Sequence, residues 1–232
     1  MTSSTKISPE SCEDQRPQVI WSNSFETRVS ILALIQSLNV QLLTHASATK
    51  TLEKWCQDHQ LIDTKASPTV VVELDKSMHK VISDEQRKQL NISSDETVCY
   101  RHVYIKCGQL ILSMADNWYV PSRLTDEMNN LLNTTNIPFG KIVAPLRFRR
   151  HTLTSQLLWE PLTDDWEMKS FASLHTMYDG NKCLIFPYKI LEHKAILYTD
   201  DIPFSLVTET YTRELFDLPD KRLNSKEAWV HD

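Results

Sequence analysis

Two runs in the middle of the chain, each alternating between apolar and polar residues, constrain the fold most. They read TVCYRHVYIKC at 97–107 and LILSMADNWYV at 110–120. Alternation of this kind predicts strands that each bury one face. Only Gly108 and Gln109 separate the two runs, so the runs are expected to pair as a hairpin. An antiparallel sheet is therefore the first expectation for this chain.

Further strand signals lie on both sides of this hairpin. A tight turn at Asp200-Asp201 is expected to join the last two of them. Pro145 is expected to break another pair. The predicted strands outside the hairpin are TVVVEL at 69–74, IPFGKIVAPL at 137–146, FRRHTLTSQLLW at 148–159, AILYT at 195–199 and FSLVTETYT at 204–212.

Helical patterns are concentrated in the first 135 residues. Ser24 and Ser47 each precede apolar residues at helical spacing, as N-cap residues do. Pro121 is expected to open a further helix. Helices followed by hairpin-linked strands predict a single α+β domain with an antiparallel β-sheet and flanking helices. We expect residues 1–20 to be disordered, 21–216 to form the domain and 217–232 to be a charged tail.

Composition excludes several functional classes. The net charge is −5 and the pI is about 5.9, whereas nucleic-acid-binding domains are usually basic. No apolar run is long enough for a membrane span, and the N-terminal residues lack the apolar core of a secretory signal. We therefore expect a cytoplasmic protein, or a stromal one if it is plastid-encoded. It should have no nucleic-acid partner and no membrane span, and be a monomer or a weak dimer.

Cysteine and histidine usage gives no support for a metal or a cofactor. The five cysteines contain no Cys-x-x-Cys pair, and the eight histidines are scattered. Reduced structural thiols are the expectation, with a disulfide or a metal role as the alternative for Cys99 and Cys107 on adjacent strands. Three glycines in 232 residues leave no room for a glycine-rich phosphate loop. No metal and no cofactor are predicted.

Two charged residues stand inside apolar strand patterns. Arg101 shares one strand face with Val103, and Glu209 shares one with Val207 and Tyr211. If these faces are buried, the guanidinium needs an anion and the carboxylate needs a cation or a proton. If the faces are exposed, both residues are ordinary surface charges. The local pattern alone leaves the two alternatives open.

The arginines that follow Pro145 form a basic cluster, which is usually a solvated face. Alternation places Arg147 and Arg149 on one face of a strand and Arg150 on the other. The turn at Phe139-Gly140 has backbone amides that can bind an anion. A simple tight connection is the alternative for this turn.

Three segments in order, ADNWYVPSRL, TTNIPFGKIV and FSLVTETYTREL, resemble the chorismate pyruvate-lyase family. The resemblance is strongest to its branch of bacterial, cyanobacterial and plastid proteins, and it extends from about residue 40 to 216. It implies an antiparallel α+β sheet around a buried ligand pocket. It also implies a reaction without cofactor or metal that converts chorismate into 4-hydroxybenzoate and pyruvate.

The same resemblance implies site residues. Arg101 and Glu209 match the family's paired arginine and glutamate, which hold ligand oxygens and serve in catalysis. Phe139 and Gly140 match the turn whose amide holds the ligand, and Ala48 matches a position near the ligand. The family's better-known bacterial members have Met in place of Ala48 and Leu in place of Phe139. They also have a ligand-proximal glycine near Asp116, one residue out of register.

Ligand-sensing domains of transcription regulators have a similar pocket architecture. A non-catalytic protein that binds or senses a small aromatic carboxylic acid is therefore the alternative function. A structural protein without a small-molecule site is the third.

Overall fold

The computed structural model describes residues 21–45, 47–62, 69–180, 182–216 and 218, and these form an α+β domain. The predicted disordered segment 1–20 lies outside the described residues, as does the predicted tail 217–232 except Leu218. Six strands form one sheet, in which every neighbouring pair is antiparallel. The predicted fold class is therefore confirmed. The strands are β1 (Val70–Asp75), β2 (Cys99–Cys107), β3 (Leu110–Tyr119), β4 (Arg149–Leu157), β5 (Lys189–Thr199) and β6 (Ile202–Thr212).

The strand order in space is β1-β2-β3-β6-β5-β4. Both predicted tight hairpins are present. Gly108 has a φ of 59° between β2 and β3, and Asp200 and Asp201 have φ of 46° and 62° between β5 and β6. Two consecutive left-handed residues match the right-handed twist of the flanking strands, which favours this turn despite the cost to non-glycine residues. These turns fix the register of the central strands.

Six α-helices accompany the sheet within the described residues. The predicted caps are correct, because Ser24 Oγ accepts from the backbone N–H of Thr27 and Ser47 Oγ accepts from that of Lys50. Each cap satisfies one of the amides that have no partner inside the helix. The helices are α1 (Phe25–Thr44), α2 (Ala48–Asp58), α3 (Asp84–Gln89), α4 (Asp126–Thr134), α5 (Phe139–Ile142) and α6 (Phe171–Met177).

The start of one predicted helix and one predicted strand are wrong. Pro121 begins only a short 3-10 turn (Pro121–Arg123), and α4 starts later with Thr125 as its N-cap. The segment 137–146 is not a strand but consists of α5 and the 3-10 turn Ala144–Leu146. Its two prolines lack the N–H groups that a strand needs for its ladder.

The two faces of the sheet are covered differently. Helices α1 and α2 pack on one face, with Ile35, Leu38 and Trp55 fully or almost fully buried against Val103 and Ile105 of β2. The opposite face packs against the segment around α3. Its core residues are Leu90, Trp118, Val120, Ile196 and Leu206. Because α1 and α2 cover only part of their face, the rest of it is left for the cavity described below.

A disulfide joins α2 to the sheet, which corrects the prediction of reduced thiols. It links Cys56 of α2 to Cys107 at the end of β2, and both residues are fully buried. The two cysteines are 51 residues apart in the sequence, so no local spacing pattern reveals them. Cys99 and Cys183 are free.

Candidate ligand-binding site

A cavity of about 620 Å³ lies between the sheet and the segments that cover its α2 side. Its floor comes from strands β1, β2, β3, β6 and β5, and Arg150 of β4 reaches it from the side. Its walls come from the start of α2, from α5 and from the residues leading into β4. The residues that line it are Ser47, Ala48, Thr49, Lys50, Val72, Val103, Ile105, Ala115, Asn117, Pro138, Phe139, Gly140, Lys141, Ala144, Phe148, Arg150, Leu197, Val207 and Glu209.

Strand register explains why the floor residues share one face. Val103 pairs with Ala115, and Ala115 pairs with Glu209 on the far side of β3. Directly paired residues point to the same side of an antiparallel sheet. Asn117 and Val207 pair in the same way two residues along. The floor is thus apolar except for one amide and one carboxylate.

Glu209 is held by Arg150, which reaches it from β4. The Arg150 Nη2–Glu209 Oε2 distance is 2.6 Å. Burial lowers the pKa of Arg150, but the Glu209 carboxylate outweighs this effect and the pKa is raised. Tyr211 donates its hydroxyl to the same Oε2 at 3.3 Å. Both hydrogen bonds that described residues give to this carboxylate end on Oε2, so Oε1 is left for another partner.

A buried histidine lies beside this ion pair. His193 pairs with Glu209 across the β5–β6 ladder and is 1% exposed. Its Nε2 lies 2.8 Å from Asn39 Oδ1. Burial lowers the pKa of His193; Glu209 opposes the shift and Arg150 adds to it. A neutral imidazole at pH 7 therefore packs behind the carboxylate and adds no second positive charge.

The start of α2 forms one wall of the cavity. Ser47 caps the third amide, that of Lys50, and the amides of Ala48 and Thr49 have no acceptor within the helix. The positive end of the helix dipole also lies here. On the facing wall, Phe139 and Gly140 begin α5. Both walls thus present backbone N–H groups near the cavity.

The charged side chains of the cavity are predominantly cationic. Lys50, Lys141 and Arg150 stand against Glu209 alone. Both lysines are exposed and form no ion pair with the described residues. Because Arg150 already neutralises Glu209, the two lysines are the charges available to a ligand.

The structure brings together four of the five residues predicted for the site. Ala48, Phe139, Gly140 and Glu209 all line the cavity, whereas Arg101 does not. Arg101 lies on the same sheet face, two residues from Val103, and is 3% exposed. The expected partnership of Arg101 with Glu209 is not present, because Arg150 takes that place.

Arg101 is bound to backbone carbonyls instead of a carboxylate. Its Nε donates to the carbonyl oxygen of Leu132 at 3.0 Å, and its Nη2 donates to those of Thr135 and Ile137 at 3.1 and 2.9 Å. Burial lowers its pKa to about 10. These carbonyls belong to the end of α4 and the chain leading into α5. Arg101 therefore fixes the segment that carries the Phe139 wall.

Two residues of the site were not singled out by the sequence as site residues. Arg150 belongs to an arginine cluster, and alternation correctly separates it from Arg149, but nothing local shows that its face looks into a cavity. Arg147 lies outside β4, at a left-handed φ of 49°. Asn117 is an uncharged residue in a strand, and its sequence neighbours give no sign of a ligand site. The fact that it pairs with Val207 of the floor is visible only once β3 and β6 are adjacent.

A second polar cluster lies on the opposite face of the sheet. Asp116 accepts hydrogen bonds from Tyr100 and Lys80, and its Oδ1 lies 2.7 Å from Nδ1 of His102. Burial alone would raise the pKa of Asp116, but the hydrogen bonds from His102, Lys80 and Tyr100 bring it to about 2. This cluster ties the segment before α3 to the sheet and is separate from the cavity.

No group of three or more His, Cys, Asp or Glu residues within the described part of the chain is arranged to hold a metal ion. Among the helices that the structure describes, none has the length and apolar content that a membrane crossing requires.

Comparison with known proteins finds one strong sequence similarity. No family model matches the chain. A protein of Sinorhizobium fredii (strain NBRC 101917 / NGR234), named uncharacterized protein y4mC, is 43% identical over 220 residues. The match covers 94% of this chain and 90% of that protein.

Solved structures with similarity to this chain include effector domains of bacterial regulators. The effector domain of PhnF from Mycobacterium smegmatis is 11% identical, with a TM-score of 0.42, covering 72% of this chain and 88% of that chain. The effector-binding domain of the B. subtilis trehalose repressor is 12% identical, with a TM-score of 0.36 and coverages of 70% and 96%. A GntR-family regulator from Bacillus cereus is 12% identical, with a TM-score of 0.36 and coverages of 62% and 92%. Identities and scores this low carry neither a ligand nor an activity over to this chain.

Proposed function

The chain belongs to the family of the Sinorhizobium fredii protein y4mC, and on the chemistry of its cavity we propose that it binds a small organic carboxylate. The observation that carries the proposal is the excess of positive charge on an otherwise apolar wall. Lys50 and Lys141 form no ion pair with the described residues, and the charge of Arg150 is balanced by that of Glu209. A carboxylate supplies the missing negative charge.

The apolar part of the cavity supports a ligand with a compact hydrophobic body. Phe139 and Phe148 contribute aromatic rings, and Val103, Leu197 and Val207 contribute aliphatic surface. A volume of about 620 Å³ falls in the range of small-molecule pockets, which is roughly 300–1,000 Å³. A substituted aromatic or cyclohexadiene acid fits both the size and the surface.

Calorimetric titration with benzoate, 4-hydroxybenzoate and uncharged benzamide tests the proposal. We expect the acids to bind about tenfold more tightly than the amide, because a charge-assisted hydrogen bond contributes about 1.5 kcal/mol or more. The double substitution Lys50→Gln/Lys141→Gln should remove that preference. Lys54→Gln is the matched control, since Lys54 is on the same helix, is exposed and pairs with Asp58. Equal binding of acid and amide would contradict the proposal.

A second candidate function is chorismate lyase activity at the same cavity. It is favoured by the resemblance in sequence and by the position of Glu209, whose Oε1 is open to a ligand on an apolar floor. In this reaction the ring C–O bond to the enolpyruvyl group breaks and the ring carbon that bears the hydroxyl loses its proton. The ring becomes 4-hydroxybenzoate, and enolpyruvate takes up a proton at its methylene carbon to become pyruvate. Glu209 would accept the proton from the ring carbon or deliver one to the enolpyruvate. Arg150 would hold the Glu209 carboxylate in place.

Incubation with chorismate distinguishes the two functions. Pyruvate is measured by coupling to lactate dehydrogenase, with the spontaneous rate subtracted. Turnover that falls at least a hundredfold in Glu209→Gln, while the variant still binds 4-hydroxybenzoate, would support the lyase. Binding of chorismate without pyruvate release would contradict the lyase activity and support only the binding function.

A further inference from the structure

Asn117 is a buried polar residue on the cavity floor, and its side chain has no hydrogen-bond partner in the part of the chain that the structure describes. It is 2% exposed, lies in β3 and lines the cavity. Its neighbours across the ladders are Arg101 and Val207. No described residue makes a hydrogen bond with its side-chain amide. The amide nevertheless carries two N–H donors and a carbonyl acceptor.

A buried amide whose donors and acceptor are all unpaired destabilises the protein. The side-chain atoms of Asn117 are not among the fully enclosed polar atoms that lack partners, which include Arg101 Nη1 and His193 Nδ1. Its remaining accessibility is therefore on the cavity side, since the strands enclose it elsewhere. A polar atom of a bound ligand can provide the missing hydrogen bond there.

We propose that Asn117 is a specificity-determining residue that hydrogen-bonds a hydroxyl or oxo oxygen on the ring of the ligand. The ligand class is thereby narrowed from small carboxylates to ring-hydroxylated or oxo-substituted ones. This inference rests on the proposed binding of a carboxylate in the cavity. It adds a second polar contact to the one that the cationic side chains supply.

The register of the floor supports this assignment. Asn117 and Glu209 lie on adjacent strands as diagonal neighbours, two residues apart in register. Such neighbours are separated by about 7–8 Å between Cα atoms, a span that a six-membered ring with substituents can bridge. The residues around them, Ala115 and Val207, are apolar and offer no competing hydrogen bond. A ring with a substituent at Asn117 is therefore held in one orientation.

The test compares benzoate with 3-hydroxybenzoate and 4-hydroxybenzoate in the full-length protein by calorimetric titration. In the unmodified chain we expect at least one hydroxylated acid to bind about 5- to 10-fold more tightly than benzoate, the effect of one hydrogen bond. Asn117→Leu, which keeps the volume, should bring this ratio close to one. The matched control is Thr210→Val, a buried polar residue of β6 on the opposite sheet face. This variant should keep the ratio of the affinities for the hydroxylated acid and for benzoate.

The outcomes separate the two proposals. If no acid binds to the unmodified chain, the proposed binding function itself fails. If the acids bind but the ratio is the same in Asn117→Leu, the role of Asn117 is overturned while the binding function stands. Should Asn117→Leu fail to fold, Asn117→Ala and Asn117→Asp are compared in the same way, and a ratio unchanged in both would equally overturn the role.

Discussion

Arg150 of β4 crosses β5 to reach Glu209 of β6, and their side chains meet at 2.6 Å on the floor of the cavity. The side chains are only 26% and 10% exposed, so the pair is largely withdrawn from water. Breaking such a pair leaves an uncompensated charge, whereas replacing both members with neutral groups costs much less. Each member of the pair therefore depends on the other for its charge balance, and the pair adds no net charge to the cavity.

Arg150→Met is expected to lower the free energy of unfolding by on the order of 3 kcal/mol, because Glu209 loses its cation. Glu209→Gln should act similarly. The double variant Arg150→Met/Glu209→Gln should recover most of the loss. Urea denaturation of the four proteins gives the coupling energy. Additive effects of the two substitutions would contradict a direct interaction.

Arg149→Met provides the control for this cycle. Arg149 neighbours Arg150 in β4 but points away from the cavity and pairs with Asp201 in solvent. Exposed pairs contribute little, so its free energy of unfolding should change by less than about 1 kcal/mol.

Arg101→Met is expected to destabilise the protein by about 2–4 kcal/mol, since three backbone carbonyls lose their donors. Arg101→Lys should not restore stability, because one ammonium group cannot reproduce the planar arrangement of the guanidinium. Urea denaturation and calorimetric titration are measured on the same samples. A variant with normal stability but no binding would show instead that Arg101 contacts the ligand directly.

The sequence predicted those features that depend on local chemistry. The turn at Gly108 and the turn at Asp200-Asp201 each require left-handed backbone, and the residues present allow it. The caps Ser24 and Ser47 follow from the need of the first amides of a helix for an acceptor. The face of Glu209 follows from strand alternation. These determinants are contained within a few residues.

The partners of Arg101 and Arg150 could not be predicted from the sequence, because they depend on contacts between distant parts of the chain. Arg101 and Arg150 both stand in strand patterns, and neither the local pattern nor the strand order decides which of them reaches Glu209. In the sheet Arg150 is two strands away from Glu209, and Arg101 is also two strands away on the other side. The end of α4 lies close to Arg101 and takes up its guanidinium. Local alternation is identical in both cases, so it cannot tell them apart.

The cluster around Asp116 is expected to make the free energy of unfolding depend on pH in the acid range. Its pKa in the folded protein is about 2, below the ordinary value of 3.8, mainly because His102, Lys80 and Tyr100 hold the charged form against the opposing effect of burial. The stabilisation is therefore complete above about pH 4 and is lost as the pH falls through 2. The difference in pKa corresponds to about 2 kcal/mol.

Asp116→Asn should remove this pH dependence. The free energy of unfolding, measured by urea denaturation between pH 2 and 7, is expected to fall less steeply on acidification below pH 4 in the variant than in the unmodified protein. Asp164→Asn, at an exposed carboxylate outside this cluster, is the comparison. A slope that does not change in Asp116→Asn would mean that this carboxylate is not preferentially stabilised in the folded state.

The disulfide between Cys56 and Cys107 links α2, whose first turn forms a wall of the cavity, to the sheet. Closing a chain segment of 51 residues restricts the unfolded state, which stabilises the folded one by about 4 kcal/mol. Cys56→Ala/Cys107→Ala is therefore expected to unfold at a lower urea concentration than the oxidised protein. Cys183→Ser, at an exposed free cysteine, should behave as the unmodified chain.

Mass spectrometry after alkylation without reductant gives the number of free thiols. Alkylation of Cys56 and Cys107 in the folded protein, or identical urea midpoints for the double variant and the unmodified chain, would contradict the link. Since both cysteines are fully buried, the bond should resist mild reductant until the protein unfolds, and added urea should sharply accelerate its reduction.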